Sequence, residues 1–188
     1  MRVGVVAIQG DFEKHITSLL ACGLDPTEVI EVRTPEELSS VDRAIIPGGE
    51  STTVGLLMER YGLGSALKHA AASGMPLWGT CMGLIMMAKT VAGRNQYTLG
   101  LLDIEVERNA FGAQIYSFED EVQVDGLDTP VLGVFIRAPI VTKVNAPAIA
   151  TALYGGKIVA VRQGKLIGTS FHPELTDDVR LHRYFLTL

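Results

Sequence analysis

A chain of 188 residues, 47% hydrophobic and 20% charged, has enough material for one well-buried core and is short for two. The net charge of −5 comes without a block of like charges, which argues against nucleic acid or an anionic membrane as a partner. The mean hydropathy of +0.27 with only strand-sized apolar runs indicates a compact globular protein with no membrane-spanning helix.

The apolar start, residues 2–8, is too short for a signal-peptide core and reads as a buried first strand. Asp11 is a candidate cap for a helix carrying Phe12, Ile16, Leu19 and Leu20 at helical spacing and ending at Cys22-Gly23. Cys22 reads as a packed core thiol. Two cysteines without an export signal suggest a reducing, cytoplasmic setting and no disulfide. Strands follow at Val29–Val32 and Arg43–Ile46, with a helical turn at Pro35–Leu38 between them. The second strand runs into Pro47-Gly48-Gly49-Glu50-Ser51-Thr52-Thr53, and helices are expected over 54–60 and 64–72. This alternation predicts a doubly wound parallel sheet, which binds ligands at the carboxyl ends of its strands.

Met75-Pro76-Leu77-Trp78 is the next strand. It leads through Gly79-Thr80-Cys81-Met82-Gly83 into a helical run reaching Lys89. Strand, tight turn and helix with a cysteine at the apex is the thiol form of the nucleophile elbow. The glycines relieve crowding at the turn, and the helix amides point at the sulfur and help it to hold negative charge. Taken alone, the pattern fits a small buried cysteine equally well. Met82, Met86 and Met87 read as core filler.

Beyond residue 95 the texture changes to short strands: 104–107, 121–124, 131–136, 150–154, 158–161 and 166–170. Tyr154-Gly155-Gly156-Lys157 and Arg162-Gln163-Gly164-Lys165 look like hairpin turns. These strands extend the same sheet or lie beside it, and 177–186 closes the chain as a helix. One domain spanning 1–188 is the simplest organisation.

Phe171-His172-Pro173-Glu174 follows the last strand. His and Glu two apart in an extended segment project to one side, so Glu174 can hold one imidazole nitrogen while the other faces a thiol. Carbonyl chemistry at Cys81 also requires oxyanion donors. The amides of Met82 and Gly49 are the candidates, although Gly48-Gly49 also fits a plain turn capped by Ser51 or Thr52. His15, His69 and His182 lie on helical stretches and read as surface or packing residues.

Together, P-G-G-E-S-T-T, G-T-C-M-G and F-H-P-E resemble the class I, triad-type glutamine amidotransferases. Ile8-Gln9-Gly10, Val106-Glu107-Arg108-Asn109-Ala110-Phe111-Gly112 and Val134-Phe135-Ile136-Arg137-Ala138-Pro139 narrow the resemblance to the glutaminase subunits of pyridoxal 5′-phosphate synthase. It covers essentially the whole chain and implies a single-domain α/β fold, a mainly parallel sheet flanked by helices. It implies that Cys81 is the nucleophile, His172 the acid/base and Glu174 its orienter, with Gly48, Gly49, Glu50, Arg108, Ile136 and Arg137 around L-glutamine. A free amino-acid carboxylate independently calls for a guanidinium fork. The resemblance implies glutamine hydrolysis through a thioester, with ammonia passed to a separate synthase subunit; the turn at Gln9 and Gly10, at a neighbouring strand end, is where that partner is expected to press. It implies no metal, nucleotide or pyridoxal phosphate bound by this chain. Met82 and Asp11 stand where the family pattern has small residues. Two alternatives stay open: a class I glutaminase serving another acceptor, such as imidazole glycerol phosphate synthesis, and a stand-alone cysteine hydrolase.

Overall fold

The computed structural model describes residues 1–109 and 117–188. Ala110, Phe111 and Gly112 of the 106–112 segment therefore lie outside the described residues.

Strand β1 (Val3–Val6) is wholly buried and leads to helix α1 (Phe12–Ala21). Asp11 stands at the cap position, but its side chain makes no capping bond, because its backbone (φ −89°, ψ 52°) is not extended as a side-chain cap requires. β2 (Val29–Val32), α2 (Pro35–Ser39) and β3 (Arg43–Ile46) follow as the pattern predicts. α3 (Ser51–Arg60) starts three residues earlier than the apolar periodicity indicates. Its cap is the Glu50 carboxylate, which accepts from the amides of Thr52 (2.9 Å) and Thr53 (2.8 Å). α4 (Leu63–Ala72) and β4 (Leu77–Thr80) lead into α5 (Met82–Met87). The helix does not reach Lys89: Ala88 turns extended, and Ala88–Val91 is strand β5, which hydrogen-bonds β6 (Leu102–Glu107).

In the second half, β7 (Ser117–Val122) lies a few residues before its expected place and pairs with β8 (Val131–Ile136) as a separate ribbon. β9 (Ile140–Val144) was not anticipated, since Ala138-Pro139 immediately precedes it and masks the short run. β10 (Ile149–Tyr154), β11 (Lys157–Gln163) and β12 (Leu166–Thr169) form a meander. Gly155 and Gly156 both have positive φ, as a tight two-residue hairpin requires. The second hairpin turns on Gly164-Lys165, one residue later than read from sequence. A 3₁₀ turn at Pro173–Leu175 precedes α6 (Arg180–Leu186), which starts three residues late.

Among the described residues the main sheet has ten strands in the order β2-β1-β3-β4-β12-β11-β9-β6-β5, with β10 paired to β11. The run β2 to β12 is parallel, and β11 begins the antiparallel part. Alternation along the strands sorts the side chains into two cores. Val6, Ala44, Ile46 and Leu77 face α3, α4 and α5. Val3, Val5, Ile45 and Trp78 face α1, α6 and the ribbon. No helix among the described residues is long and apolar enough to cross a membrane.

Two glycines let α5 sit directly on the sheet. A Cβ on Gly83 would lie 1.9 Å from the Ile46 carbonyl oxygen, and one on Gly79 would lie 2.4 Å from the Gly83 carbonyl carbon. Gly55, inside α3, has room, since its Cβ would meet Tyr97 at an ordinary 3.5 Å. Gly83→Ala is expected to cost about 1–3 kcal/mol of overpacking, lowering the melting temperature by roughly 2–12 °C. Gly55→Ala should instead gain up to about 1 kcal/mol of helix propensity. Thermal denaturation of both variants checks the opposite signs; a neutral Gly83→Ala would refute the tight crossing.

Candidate active site

Four turns at the carboxyl ends of parallel strands meet around one cavity of about 460 Å³. After β1 comes Gln9-Gly10, after β3 Gly48-Gly49-Glu50, after β4 Cys81-Met82, and after β12 His172. Arg108, following β6, and Ile136-Arg137, at the end of β8, complete the wall. The structure thus brings together every candidate residue around the cavity except Glu174, which is buried behind His172.

Cys81 is half-buried at the apex of the turn with φ 49° and ψ −101°, a conformation that costs a side-chain-bearing residue about 1–3 kcal/mol. Its amide donates to the Thr169 carbonyl at 2.8 Å, so β12 pins the strained residue from the side. The other two non-glycine residues with positive φ among the described residues, Asn109 and Arg137, also line the cavity. Strain in this chain is therefore concentrated where chemistry is expected. The Cys81 sulfur lies 3.9 Å from the Ile136 carbonyl oxygen.

The His172 amide donates to the Val134 carbonyl at 2.8 Å, which ties the segment to the ribbon. Its Nδ1 is 2.7 Å from Glu174 Oε1. Burial opposes charge on the ring, but the Cys81 sulfur and the Glu174 carboxylate outweigh it and push the pKa up to about 10. Burial works against the Glu174 carboxylate too, yet His15 and His172 hold its pKa below the usual value. His172 is thus held ready to donate a proton, while Glu174 stays anionic.

Residue 48 has to be glycine, because a Cβ there would lie 2.6 Å from His172 Cε1. The Gln9-Gly10 turn presses on the same loop, where a Cβ on Gly10 would fall 1.8 Å from the Gly48 carbonyl oxygen. Met82 is buried core, as expected, and also fills the space beside Gly49, with its Cε 3.2 Å from where a Cβ would stand. As the first residue of α5, its amide is one of the donors that the helix leaves unpaired.

Arg108 Nη1 donates to Gln96 Oε1 at 3.2 Å, and Nη2 lies 3.7 Å from Glu50 Oε1. The helix amides hold the Glu50 pKa at about 2, so this carboxylate stays charged.

Several contributing residues escape a sequence reading. Gln96 sits in a loop without a motif and bridges Arg108 to the Ser51 hydroxyl. His15 and His182 are indeed packing residues, fully buried, but they lie directly behind the triad candidates. The available signal was His15's place in the apolar stripe Phe12, His15, Ile16 and Leu19. His69, by contrast, is exposed.

A strained cysteine on a strand-to-helix turn, beside a buried His–Glu pair on a largely parallel sheet, is an arrangement that thiol-dependent α/β enzymes use to attack acyl carbons. This chain belongs to the SNO glutamine amidotransferase family, whose pattern matches residues 5–188. It is 48% identical over 188 residues to the pyridoxal 5′-phosphate synthase subunit PdxT of Geobacillus sp. (strain WCH70), covering 100% of this chain and 96% of the relative. It is 50% identical over 189 residues to the protein of the same name from Desulforamulus reducens, covering 100% and 99%. A crystal structure of a glutamine amidotransferase superposes with a TM-score of 0.94 at 46% identity, covering 100% of this chain and 98% of that one. The structure of PurLQS from Thermotoga maritima shares the fold alone, with a TM-score of 0.76 at 18% identity over 99% of this chain and 97% of that one.

The strain at Cys81 gives a test independent of activity. Cys81→Ala and Cys81→Gly both remove the sulfur, but only glycine adopts positive φ freely. Cys81→Gly should melt higher than Cys81→Ala, by about 1 kcal/mol, with neither retaining thiol chemistry. Equal or reversed melting temperatures would show that the turn is not strained.

Proposed function

We propose that this chain is the glutaminase subunit of a pyridoxal 5′-phosphate synthase: it hydrolyses L-glutamine to L-glutamate and delivers the ammonia to a synthase subunit for vitamin B6 biosynthesis. The observation that carries this reading is one cavity that combines Cys81, His172 and two arginines, with Glu174 bonded to His172 from behind, in a chain of the amidotransferase family. The free cysteines suit a reducing compartment, and we place the reaction in the cytoplasm.

Glutamine offers an α-carboxylate, an α-ammonium and a side-chain carboxamide. Arg108 and Arg137 receive the carboxylate, and the carbonyl of Ile136 and the carboxylate of Glu50 suit the ammonium. The carboxamide then reaches the sulfur. Cys81 thiolate adds to the amide carbon, and the oxyanion that forms is held by the amides of Met82 and Gly49. His172 gives its proton to the leaving nitrogen, so ammonia departs and a γ-glutamyl thioester remains. Water adds to the thioester with His172 taking the proton, and glutamate leaves as the thiolate is restored. Glu174 keeps the imidazole oriented through both steps.

Gln9 and Gly10 are the proposed contact with the synthase subunit. They abut Gly48-Gly49, a peptide without side chains that reorients at low cost. A partner pressing there favours the state in which the Gly49 amide faces the oxyanion.

The deciding experiment measures glutamine hydrolysis with and without the synthase subunit. Turnover should rise clearly on adding it, and Gln9→Ala should weaken the rise; full activity alone, with no response, would sink the coupled reading. A diazo-ketone analogue of glutamine should alkylate Cys81 and spare Cys22, whose thiol pKa burial pushes up. Mass spectrometry that finds both sites labelled alike would count against a selectively activated Cys81. Arg108→Ala and Arg137→Ala should raise KM more than they lower kcat, because the carboxylate is bound alike in ground and transition states. A loss confined to kcat would give that arginine a different role.

A further inference from the structure

Behind the triad lies a buried polar chain that the mechanism above does not use. His15 on α1 and His182 on α6 are both fully buried, with His15 Nδ1 3.0 Å from His182 Nε2. His15 Nε2 faces two oxygens, Thr80 Oγ1 at 3.0 Å and Glu174 Oε2 at 3.4 Å. Trp78 stands against both rings, with centroids 5.7 Å from His15 and 4.9 Å from His182.

The positions of the protons follow from accounting. Glu174 Oε2 has no hydrogen bond of ordinary geometry among the described residues, and the group that faces it is His15 Nε2. A bare lone pair on Nε2 would point at the unpaired outer oxygen of a buried carboxylate, so Nε2 carries the hydrogen, which donates to Thr80 Oγ1 at 3.0 Å with Glu174 Oε2 beside it at 3.4 Å. A neutral imidazole then has a bare Nδ1, which must accept, and His182 Nε2 must donate to it. This leaves His182 Nδ1 bare, and that atom is the one buried ring nitrogen without a partner among the described residues. An unpaired acceptor is tolerated more readily than an orphaned N–H. Burial lowers the pKa of both rings, that of His182 to about 3, so both are neutral.

We propose that His15, fixed in its Nε2–H tautomer by His182, is a positioning residue for the triad: its N–H, anchored on Thr80 Oγ1, turns its positive edge to the outer oxygen of Glu174, so that the inner oxygen stays aimed at His172. The proposal rests on the triad reading above and adds to it a second layer, supplied by the two helices on one face of the sheet. The titratable groups facing Glu174 are His172 from its own segment and His15 from α1. Cys81 acts through His172, and His182 acts through His15. Asp11 and Asp178 favour charge on the two buried rings, and Lys14 and Asp177 share a neighbouring cavity with Glu174. Removing the His15 donor leaves the carboxylate less supported, so it takes up a proton at higher pH.

Histidine-labelled full-length protein tests the proton positions directly. Nitrogen-15 NMR at pH 7 to 8 should find His15 and His182 neutral and both protonated at Nε2; a His15 protonated at Nδ1, or charged, would overturn the proposal. Kinetics in complex with the synthase subunit tests the consequence. His15→Leu should lower kcat for glutamine by about tenfold or more with KM within about twofold, and should move the acid limb of the kcat profile up by about one pH unit. His15→Gln, whose amide N–H can face the same oxygen, should restore most of kcat and return the limb. A His15→Leu protein with unchanged kcat and limb, alongside an inactive Glu174→Gln, would overturn the proposal and leave the triad standing. An active Cys81→Ala would instead overturn the triad reading itself. If His15→Leu does not fold, the NMR tautomers and the His15→Gln profile decide.

Discussion

Backbone meets backbone where α5 crosses the sheet, and the site depends on that contact. Gly83 lies against the Ile46 carbonyl and Gly79 against Gly83, with no side chain between them. Because β3 and the elbow touch there, the loop leaving β3 and the residue at the apex border the same cavity. The same crowding leaves Cys81 no relaxed conformation, since its neighbours on both sides are already placed by β4 and α5. Strain of this kind persists only where surrounding bonds over-determine it. Here the Thr169 carbonyl on one side and the Ile85 amide, 3.3 Å from the Cys81 carbonyl, on the other supply them.

The charges are arranged around that fixed point in two ways. Glu174 is anionic in a buried site because two imidazoles face it from opposite sides, which separates the solvent-excluded carboxylate from the cavity. Glu50 is anionic at the rim because helix amides satisfy it, so its pull on Arg108 at 3.7 Å is loose. Arg108 is steered by Gln96 and Glu50 without being fully engaged by them. A guanidinium in that condition retains donors for an incoming anion.

Much of this was legible in the sequence where a local rule sufficed. β2 and β3 fall on their predicted residues because short, β-branched runs between turn signals admit few alternatives. The strand-turn-helix of the elbow was legible from its local pattern; the His172–Glu174 pair was legible as a pair, but a 3₁₀ turn over Pro173–Leu175, and not the expected extended segment, brings the two side chains together. Elements fixed by tertiary bonds were not legible. Ala88 leaves the helix because β6 pairs with β5, and the amides of Leu99 and Leu101 take the carbonyls of Met86 and Met87. Asp11 has the residue type of a cap but not the backbone, and Glu50, an uncommon cap residue, does the work expected of Ser51 or Thr52. The buried histidines were hidden for a related reason. Helical periodicity gives the face on which His15 lies, but not that α6 and the 3₁₀ turn at Pro173–Leu175 bring His182 and Glu174 onto its two nitrogens.

Trp78 has one further consequence. It is the chain's single tryptophan, it is fully buried, and both rings of the hidden polar chain lie edge-on to its indole. Imidazole quenches indole emission, and imidazolium quenches it more strongly. The tryptophan emission of this protein therefore originates from a point one residue, His15, away from Glu174. It is an optical reporter, built into the natural sequence, of the protonation of that layer and of any movement of α1 or α6 against the sheet, and it requires no label and no turnover.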